Sequence, residues 1–528
     1  MTEPRTVTPE RPGALRSLAR AMTSWRTASV SLLGFSSGLP LGIVWIAIPD
    51  WMRKSGMDIR VVGLITLAQI PFTFKFLWSP LMDRFSLPWM GRRRGWIALA
   101  QVALFLFTLG LAGLGNHPDT PWILGALAFA ISLAGATQDI AYDAYTVDVL
   151  KPEEQGIAVG ARNAFYWIAF RGLGSLSIAA AAMYSWPLVN VFLALTFIPM
   201  IFITWRAPEP ADVASPPRTM REAVWQPFIG FLGRHRALEI LAFVFFYKLA
   251  DNLAVALIRP FLIDKGYGDF DRSVALASIG VAASIAGTMI GGSLTNVLGL
   301  GRSLWLFGFL QIFSNIGYVF VARSEVDRVL MYSAAGFDNF ATGLGSGAFL
   351  VLLLRLTQKR FSATQYAIFS SLFRVSGILA GPITGFLVDA IGWEAFFWST
   401  LLAGLPGLAL LQRFAPLGER EPRLELEPPP MRPLPPLGPG GLIGRGVAGG
   451  LVALCLGAGA LASLAALKSM RTDPGAGFDP MSGLVSLMSP ADMGEWMQTV
   501  GVLVFGLFAG MATAAVFAAR HGTQTSGQ

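Results

Sequence analysis

The run TQDIAYDAYTVDVL, residues 137–150, places two carboxylates inside an otherwise apolar stretch. Asp139 and Asp143 are four residues apart, so on a helix they share one face. Two carboxylates that close raise each other's proton affinity, which suits a group that takes up and releases a proton near neutral pH. A second reading, that one of them is held by an arginine and stays inert, is open on the same residues. Other ionisable residues also fall inside apolar runs: Lys75, Arg162 and Arg171 in ARNAFYWIAFRG, Lys248 and Asp251 in FYKLADN, and Asp338 in GFDNF. Lys248 and Asp251, three apart, can pair with each other. Arg162 and Arg171, nine apart, lie on nearly opposite helix faces and serve different ends. Aromatic and amide side chains sit beside these charges, among them Gln138, Tyr145, Tyr166, Trp167 and Tyr247; ring faces of this kind stack on the apolar faces of sugars, although an aromatic in a membrane helix more often packs or faces lipid. The three histidines, His117, His235 and His521, fall outside the apolar runs, so any proton relay rests on carboxylates.

The elements that position these residues must be membrane helices. The chain has 528 residues, 54% hydrophobic and only 14% charged, with a mean hydropathy of +0.56, a composition whose natural solvent is lipid. Charged groups at that depth face a partner or a water-filled cavity. Apolar segments at about 27–51, 59–82, 95–115, 121–147, 155–183 and 186–206 are followed by six more at 237–262, 272–298, 302–322, 327–356, 363–388 and 392–414, and then by 442–467 and 497–519. This predicts an all-α polytopic membrane protein with about fourteen spanning helices. A single cysteine, Cys455, excludes a disulfide framework and a cysteine-rich metal site. The net charge of +8 falls in the connecting segments rather than on a nucleic-acid-binding face.

Division of the chain follows from those segments. Residues 1–26 form a basic leader without a signal-peptide core, 27–206 a first six-helix bundle, 207–236 a connecting segment, 237–414 a second bundle, 415–441 a proline-rich linker, 442–519 two further spans and 520–528 a tail. Placing both termini in the cytoplasm puts the greater share of Lys and Arg in inside segments. One inside loop, FKFLWSPLMDRFSLPWMGRRRGW (74–96), joins the second and third spans with Asp83, Arg84 and then Arg92, Arg93 and Arg94. These five are gating candidates: Asp83 suits the amino-terminal dipole of a neighbouring helix, and the arginines hold loop and helix end together. A topogenic role alone is the alternative. Gly292 to Asn296 and Gly301-Arg302 form a degenerate echo of this loop in the second half, lacking the acid-base pair. Gly287 with Gly291, and Gly343 with Gly347, have the spacing of close helix packing.

The Asp-Arg and Gly-Arg-Arg spacing resembles the loop between helices two and three of the major facilitator superfamily. Seven runs, LGFSSGLPLG (33–42), FKFLWSPLMDR (74–84), GRRRGW (91–96), TQDIAYDAYTVDVL, YKLAD (247–251), FGFLQIFSNIGY (307–318) and FSATQYAIFSSL (361–372), resemble more narrowly the AmpG muropeptide permeases of that superfamily. Departures are Ala250 within YKLAD, Asp338 within FDN, and the long proline-rich linker. The resemblance implies proton-coupled import, across the bacterial inner membrane, of N-acetylglucosaminyl-anhydro-N-acetylmuramic acid with or without a peptide, feeding cell-wall recycling and linked to β-lactamase induction. Its partners are then the muropeptide, protons and membrane lipid, with no nucleic acid, no obligatory protein partner and no cofactor beyond the proton gradient. Against that substrate, Lys75, Arg162, Arg171 and Lys248 are anion-side binding candidates, joined by Gln138, Tyr145, Tyr166, Trp167 and Tyr247. Asp139, Asp143, Asp251 and Asp338 are the coupling candidates. Asp83 is expected beside Ser362 to Gln365, closing the cytoplasmic side, and the charges are expected to converge on one cavity between the bundles. A carrier of another bulky anion such as acetyl-coenzyme A, a polytopic membrane transferase and a membrane sensor remain alternatives.

Overall fold

In a computed structural model of the chain, residues 23–56, 68, 70–115, 121–210, 215–220, 222–224, 226–227, 237–423, 437–472, 477–490 and 493–521 are described. Most of the basic leader, residues 59–67 of the second expected span, His117, His235, the core of the 207–236 segment, 424–436 of the proline-rich linker and the last residues of the tail lie outside the described residues.

Helices dominate because in lipid each backbone N–H and C=O must find its partner within its own segment. The spans are α1 (Trp25–Lys54), α3 (Arg94–Ala112), α4 (Pro121–Val149), α5 (Pro152–Met183), α6 (Trp186–Arg206), α7 (Glu239–Asp264), α8 (Phe270–Leu298), α9 (Leu300–Arg323) and α10 (Arg328–Leu356). A single helical stretch, Ser362–Phe414, carries both α11 (362–391) and α12 (393–414). Gly392, at φ 78°, is the break between them, a conformation open to glycine and disfavoured for residues with a Cβ. The expected loop there is thus one residue. Beyond the linker lie α13 (Pro439–Thr472), a short α14 (Pro480–Met488) that periodicity did not anticipate, and α15 (Met493–His521). Eleven of the described helices are long and apolar enough to cross a membrane, so the expected count of fourteen is not reached among the described residues.

The second span is not one helix where it is described. It runs as Ile70–Phe74, a 3₁₀ turn at Lys75–Leu77 and Ser79–Arg84, together α2. The tighter turn sits at the buried lysine, and Lys75 lies inside the first half with 1% of its surface exposed.

Each half of the chain has apolar cores of its own, around Trp51, Leu104, Ile131 and Leu193 in the first and around Phe261, Tyr318, Met331 and Phe397 in the second. Among the described residues they merge toward the end that bears the Arg92–Arg94 loop, where Val147 and Val159 join the core of α7, α9, α10 and α11, and Ala363 joins that of α1, α3 and α4. Close packing within the second half uses the small-residue pairs: a Cβ on Gly287 would stand 2.3 Å from the carbonyl oxygen of Phe340. The echo of the loop also has a structural counterpart. Arg94 donates to the carbonyl of Ala207 just past α6 at 2.6 Å, and Arg302 donates to the carbonyl of Gly418 just past α12 at 2.9 Å. The shared arrangement ties the start of the third helix of each half to the end of the sixth.

Candidate functional site

Asp83, at the end of α2, is fully buried and accepts four hydrogen bonds. Three come from the start of α11: the Ala363 N–H at 3.2 Å, the Thr364 N–H at 2.8 Å and the Thr364 hydroxyl at 2.6 Å. The fourth is from Arg93, at 2.7 Å. A carboxylate at a helix amino terminus meets both the free N–H groups and the positive end of the dipole. Arg93 continues the network to Asp148 at 2.9 Å and to the Ser362 hydroxyl at 2.8 Å. Burial alone would depress the Arg93 guanidinium, but Asp148 and Asp83 outweigh it and hold its pKa above the ordinary value. Arg92 bridges the carbonyls of Asp83 and Arg360 at 2.8 and 2.9 Å. Burial and the neighbouring Arg93 lower it to about 10, which leaves it charged at neutral pH.

Two of the five gating candidates stand apart from this contact. Arg84 lies over the ring of Phe85, 5.4 Å from its centroid, and Arg94 binds Glu209 and the carbonyls following α6.

The same end is sealed by backbone contact. A Cβ on Gly156 of α5 would stand 2.1 Å from the Gly292 carbonyl oxygen of α8. Asn296 donates to the Glu153 carbonyl at 2.9 Å, Asn163 to the Thr288 hydroxyl at 3.1 Å and Arg355 to Gln155 at 3.3 Å. The hydrogen bonds found between the halves run from this end only as far as Asn163, about mid-helix. The protein is therefore closed at the loop end.

The ionisable residues at membrane depth form two clusters, one in each half. In the first, Lys75 donates to Asp139 at 2.7 Å and to Asp143 at 3.2 Å, Arg162 donates to Asp143 at 2.6 Å, and Ser37 donates to Asp139 at 2.7 Å. Two cations face two carboxylates. In the second cluster Lys248 reaches Gln311 at 2.5 Å, Asp251 at 3.3 Å and the Thr342 carbonyl at 3.4 Å, while Thr342 donates to Asp251 at 2.5 Å. Asp338 accepts from Ser314 at 2.9 Å and from Tyr318 at 3.2 Å. Among the described residues no cation pairs directly with Asp338.

The expected convergence on one central cavity is thus corrected. Opposite charges in a low-dielectric bundle satisfy each other before they meet a ligand. Lys75, placed as an anion binder, is consumed by the two aspartates, and Arg162 by one of them. The hydroxyl of Tyr145 is spent on the Pro208 carbonyl at 2.9 Å, that of Tyr247 on the Leu304 carbonyl at 2.9 Å, and the Gln138 amide on the Ser36 hydroxyl at 2.8 Å. The two tyrosine hydroxyls and the Gln138 amide nitrogen serve helix contacts, while the buried Gln138 Oε1 has no hydrogen-bond partner. Tyr166, Trp167 and Arg171 differ: they lie along the partly exposed face of α5, with Arg171 4.7 Å over the Trp167 ring. Two cavities are found elsewhere. One, of about 330 Å³, is lined by apolar residues of α5 and α6, including Leu176 and Phe192. The other, of about 560 Å³, lies where α11 meets α13 to α15 and includes Asp389, Lys468 and Glu495.

Residues 30–380 match the Major Facilitator Superfamily. The anhydromuropeptide permease of Escherichia coli K12 is 37% identical over 388 residues, spanning 73% of this chain and 79% of that protein. An uncharacterized protein of Haemophilus influenzae is 33% identical over 398 residues, covering 73% and 93%, and a putative transporter AmpG 4 of Rickettsia felis is 29% identical over 406 residues, covering 75% and 97%. Among solved structures, the proton:xylose symporter XylE superposes with a TM-score of 0.53 at 13% identity over 76% of this chain and 98% of its own. A bacterial ferroportin homologue in an outward-facing state superposes with a TM-score of 0.53 at 15% identity over 76% and 99%. These two likenesses are of fold.

Proposed function

Because the chain belongs to the Major Facilitator Superfamily, we propose that it imports anhydro-muropeptides, the disaccharide N-acetylglucosaminyl-anhydro-N-acetylmuramic acid with or without its peptide, across a bacterial inner membrane. It is a multi-pass membrane transporter rather than an enzyme, as its family and its permease relatives establish. The observation that carries the substrate reading is the 37% identity to the E. coli anhydromuropeptide permease, maintained over 388 residues.

The basic loop at Arg92–Arg94 and the termini lie on the cytoplasmic side in this reading, because Lys and Arg in short loops resist translocation. The bundles 27–206 and 237–414 then rock about a seam between them, and the Asp83–Thr364 contact holds the cytoplasmic side shut while the outer side is open. The contact is held by hydrogen bonds alone, so it breaks and reforms in each cycle as the halves tilt.

Import is driven by protons, and Asp338 is the carrier that the charge balance favours. The first cluster is neutral with all four groups ionised, whereas in the second Lys248 pairs with Asp251 at 3.3 Å and the partners found for Asp338 among the described residues are the Ser314 and Tyr318 hydroxyls. One carboxylate there is in excess, and an uncompensated buried charge costs about 3–5 kcal/mol, a cost that a bound proton removes. Breaking the Lys248–Asp251 pair during the cycle frees the ammonium to compensate Asp338 and releases that proton.

Uptake of labelled disaccharide into proteoliposomes holding the full chain tests the substrate assignment. Uptake competed by unlabelled anhydro-muropeptide and not by acetyl-coenzyme A supports it; competition by acetyl-coenzyme A, with none by muropeptide, overturns it.

A further inference from the structure

The cavity of about 560 Å³ where α11 meets α13, α14 and α15 has a volume typical of small-molecule sites, and the transport reading makes no use of it. Its depth in the membrane follows from α11. At about 1.5 Å per residue, Asp389 stands roughly 38 Å along that helix from Thr364 at the closed end, further than the ~30 Å hydrocarbon core. The cavity therefore sits at the far membrane–water interface. The short helix α14 marks the same level. Met481, Val485 and Met488 form one exposed apolar face on it, as suits an element lying in the interface with that face in lipid. Its other side packs on α13, where a Cβ on Gly483 would stand 2.8 Å from the Ala462 Cα.

The walls of the cavity change from apolar to polar along the membrane normal. On α13, Leu461, Leu464 and Ala465 precede Lys468 and Ser469 on one helix face, so that face ends in charge at the interface. On α11, Phe386 comes one turn before Asp389, in the same order. α15 enters from the interface and places Glu495 and Gln498 in its first two turns, and Ser486 of α14 adds a hydroxyl. An apolar wall below a polar rim is the profile of an amphiphile standing in one leaflet. The charges on the rim are two acids, Asp389 and Glu495, and one base, Lys468, so the rim is negative by one charge. Lys468 meets Asp389 at 2.7 Å, but both side chains are about half exposed, so the pair is open to a ligand and weak by itself.

We propose that this cavity holds a phospholipid with a primary ammonium headgroup, of the phosphatidylethanolamine class, and that the lipid fills the gap between α11 and the added helices. The ammonium is drawn to Glu495 and Asp389, the phosphate to Lys468 and the hydroxyls of Ser469 and Ser486, and the acyl chains follow Leu461, Leu464 and Phe386 toward the membrane centre. Charge decides the headgroup. A primary ammonium offers three N–H donors to carboxylates, which makes charge-assisted hydrogen bonds. A choline headgroup carries the same charge with no N–H to donate. A glycerol headgroup leaves the lipid with a net negative charge, which an acidic rim repels. Since α11 is the helix whose start is capped by Asp83, the lipid fastens the added helices to an element of the seam. The site does not depend on what the protein transports.

Native mass spectrometry of the full-length protein, released from nanodiscs of equal parts phosphatidylethanolamine, phosphatidylcholine and phosphatidylglycerol with matched acyl chains, reads which lipid is retained. The parent is expected to keep phosphatidylethanolamine about fivefold or more over phosphatidylglycerol and about twofold or more over phosphatidylcholine. Glu495→Gln removes the excess charge and is expected to bring the first ratio within about twofold of unity. Glu495→Lys gives the rim two bases and one acid, and is expected to reverse the preference toward phosphatidylglycerol. A loosened fold does not produce a reversal. Leu464→Asp charges the apolar wall and is expected to lower retention of all three lipids about threefold or more. Equal retention of the three lipids by the parent, an adventitious lipid only, would overturn the proposal whether or not the variants fold. Equal retention of phosphatidylcholine and phosphatidylethanolamine would overturn the ammonium assignment. A parent preference left unchanged by both Glu495→Gln and Glu495→Lys would place the selecting site elsewhere and overturn this one.

Discussion

Asp83 of α2 accepts a hydrogen bond from the backbone N–H of Thr364 at 2.8 Å, although 281 positions separate them in the chain. That contact joins the end of a helix of the first half to a helix terminus of the second, and with the Arg93–Ser362 bond it forms one polar cluster of the closed end. Its strength depends on the carboxylate charge.

Replacing Asp83 by Asn keeps the shape and removes the charge. The lost charge-assisted bonds weaken the closed end by about 2–3 kcal/mol, against the smaller value of neutral ones. Uptake by Asp83→Asn at equal membrane insertion is expected to fall at least several-fold. Labelling of a cysteine placed on the loop-end half of α8 should rise, which distinguishes a loosened closure from a folding defect. Normal uptake by a well-inserted variant removes the gating role.

Gly156→Ala tests the seal in a different way. The added Cβ would lie 2.1 Å from the Gly292 carbonyl, a distance that forces the backbones apart. The halves within themselves do not depend on this contact. The expected outcome is a protein of nearly unchanged thermal stability whose loop-end spin-label distances shift to longer values, and whose uptake drops. Unaltered distances would show that the seal tolerates separation.

The first cluster makes a prediction about stability rather than transport. Lys75→Met leaves Asp139 and Asp143 facing only Arg162, and removing one partner of a buried pair costs about 3–5 kcal/mol. The double substitution Lys75→Met with Asp139→Asn is expected to recover most of that loss in a thermal unfolding assay in detergent. A single variant as stable as the parent would mean that the cluster is solvated.

The added helices give a contrasting case. Asp389 and Lys468 pair at 2.7 Å, but both side chains are about half exposed, so the bond is worth about 0–1 kcal/mol. Asp389→Asn is expected to leave uptake within about twofold of the parent, on the physical ground that so exposed a pair contributes little. A large loss would assign α13 to the transport path.

Much of the fold was legible because membrane-length apolar runs are the strongest periodic signal a chain carries, and Asp83 was legible because an acid beside an Arg-rich turn has few partners other than a helix terminus. The site was less so. Lys75 and Asp139 are 64 residues apart, and nothing in their spacing says that a 3₁₀ turn brings the lysine onto the two aspartates; read singly, Lys75 looks like an anion binder. Tyr145 and Tyr247 were indistinguishable in sequence from ligand-facing aromatics, since only the position of the Pro208 and Leu304 carbonyls reveals where their hydroxyls go. Gly392 escaped notice because one glycine in an apolar run does not announce a positive φ.

The most direct test of proton-driven muropeptide import is accumulation of the labelled disaccharide in proteoliposomes under an inward proton gradient, for the parent and for Asp338→Asn. The parent is expected to concentrate substrate above the external level and to lose that ability with a protonophore, while Asp338→Asn exchanges substrate down its gradient but accumulates none. Accumulation by Asp338→Asn equal to the parent's, or parent accumulation indifferent to the protonophore, would contradict the account.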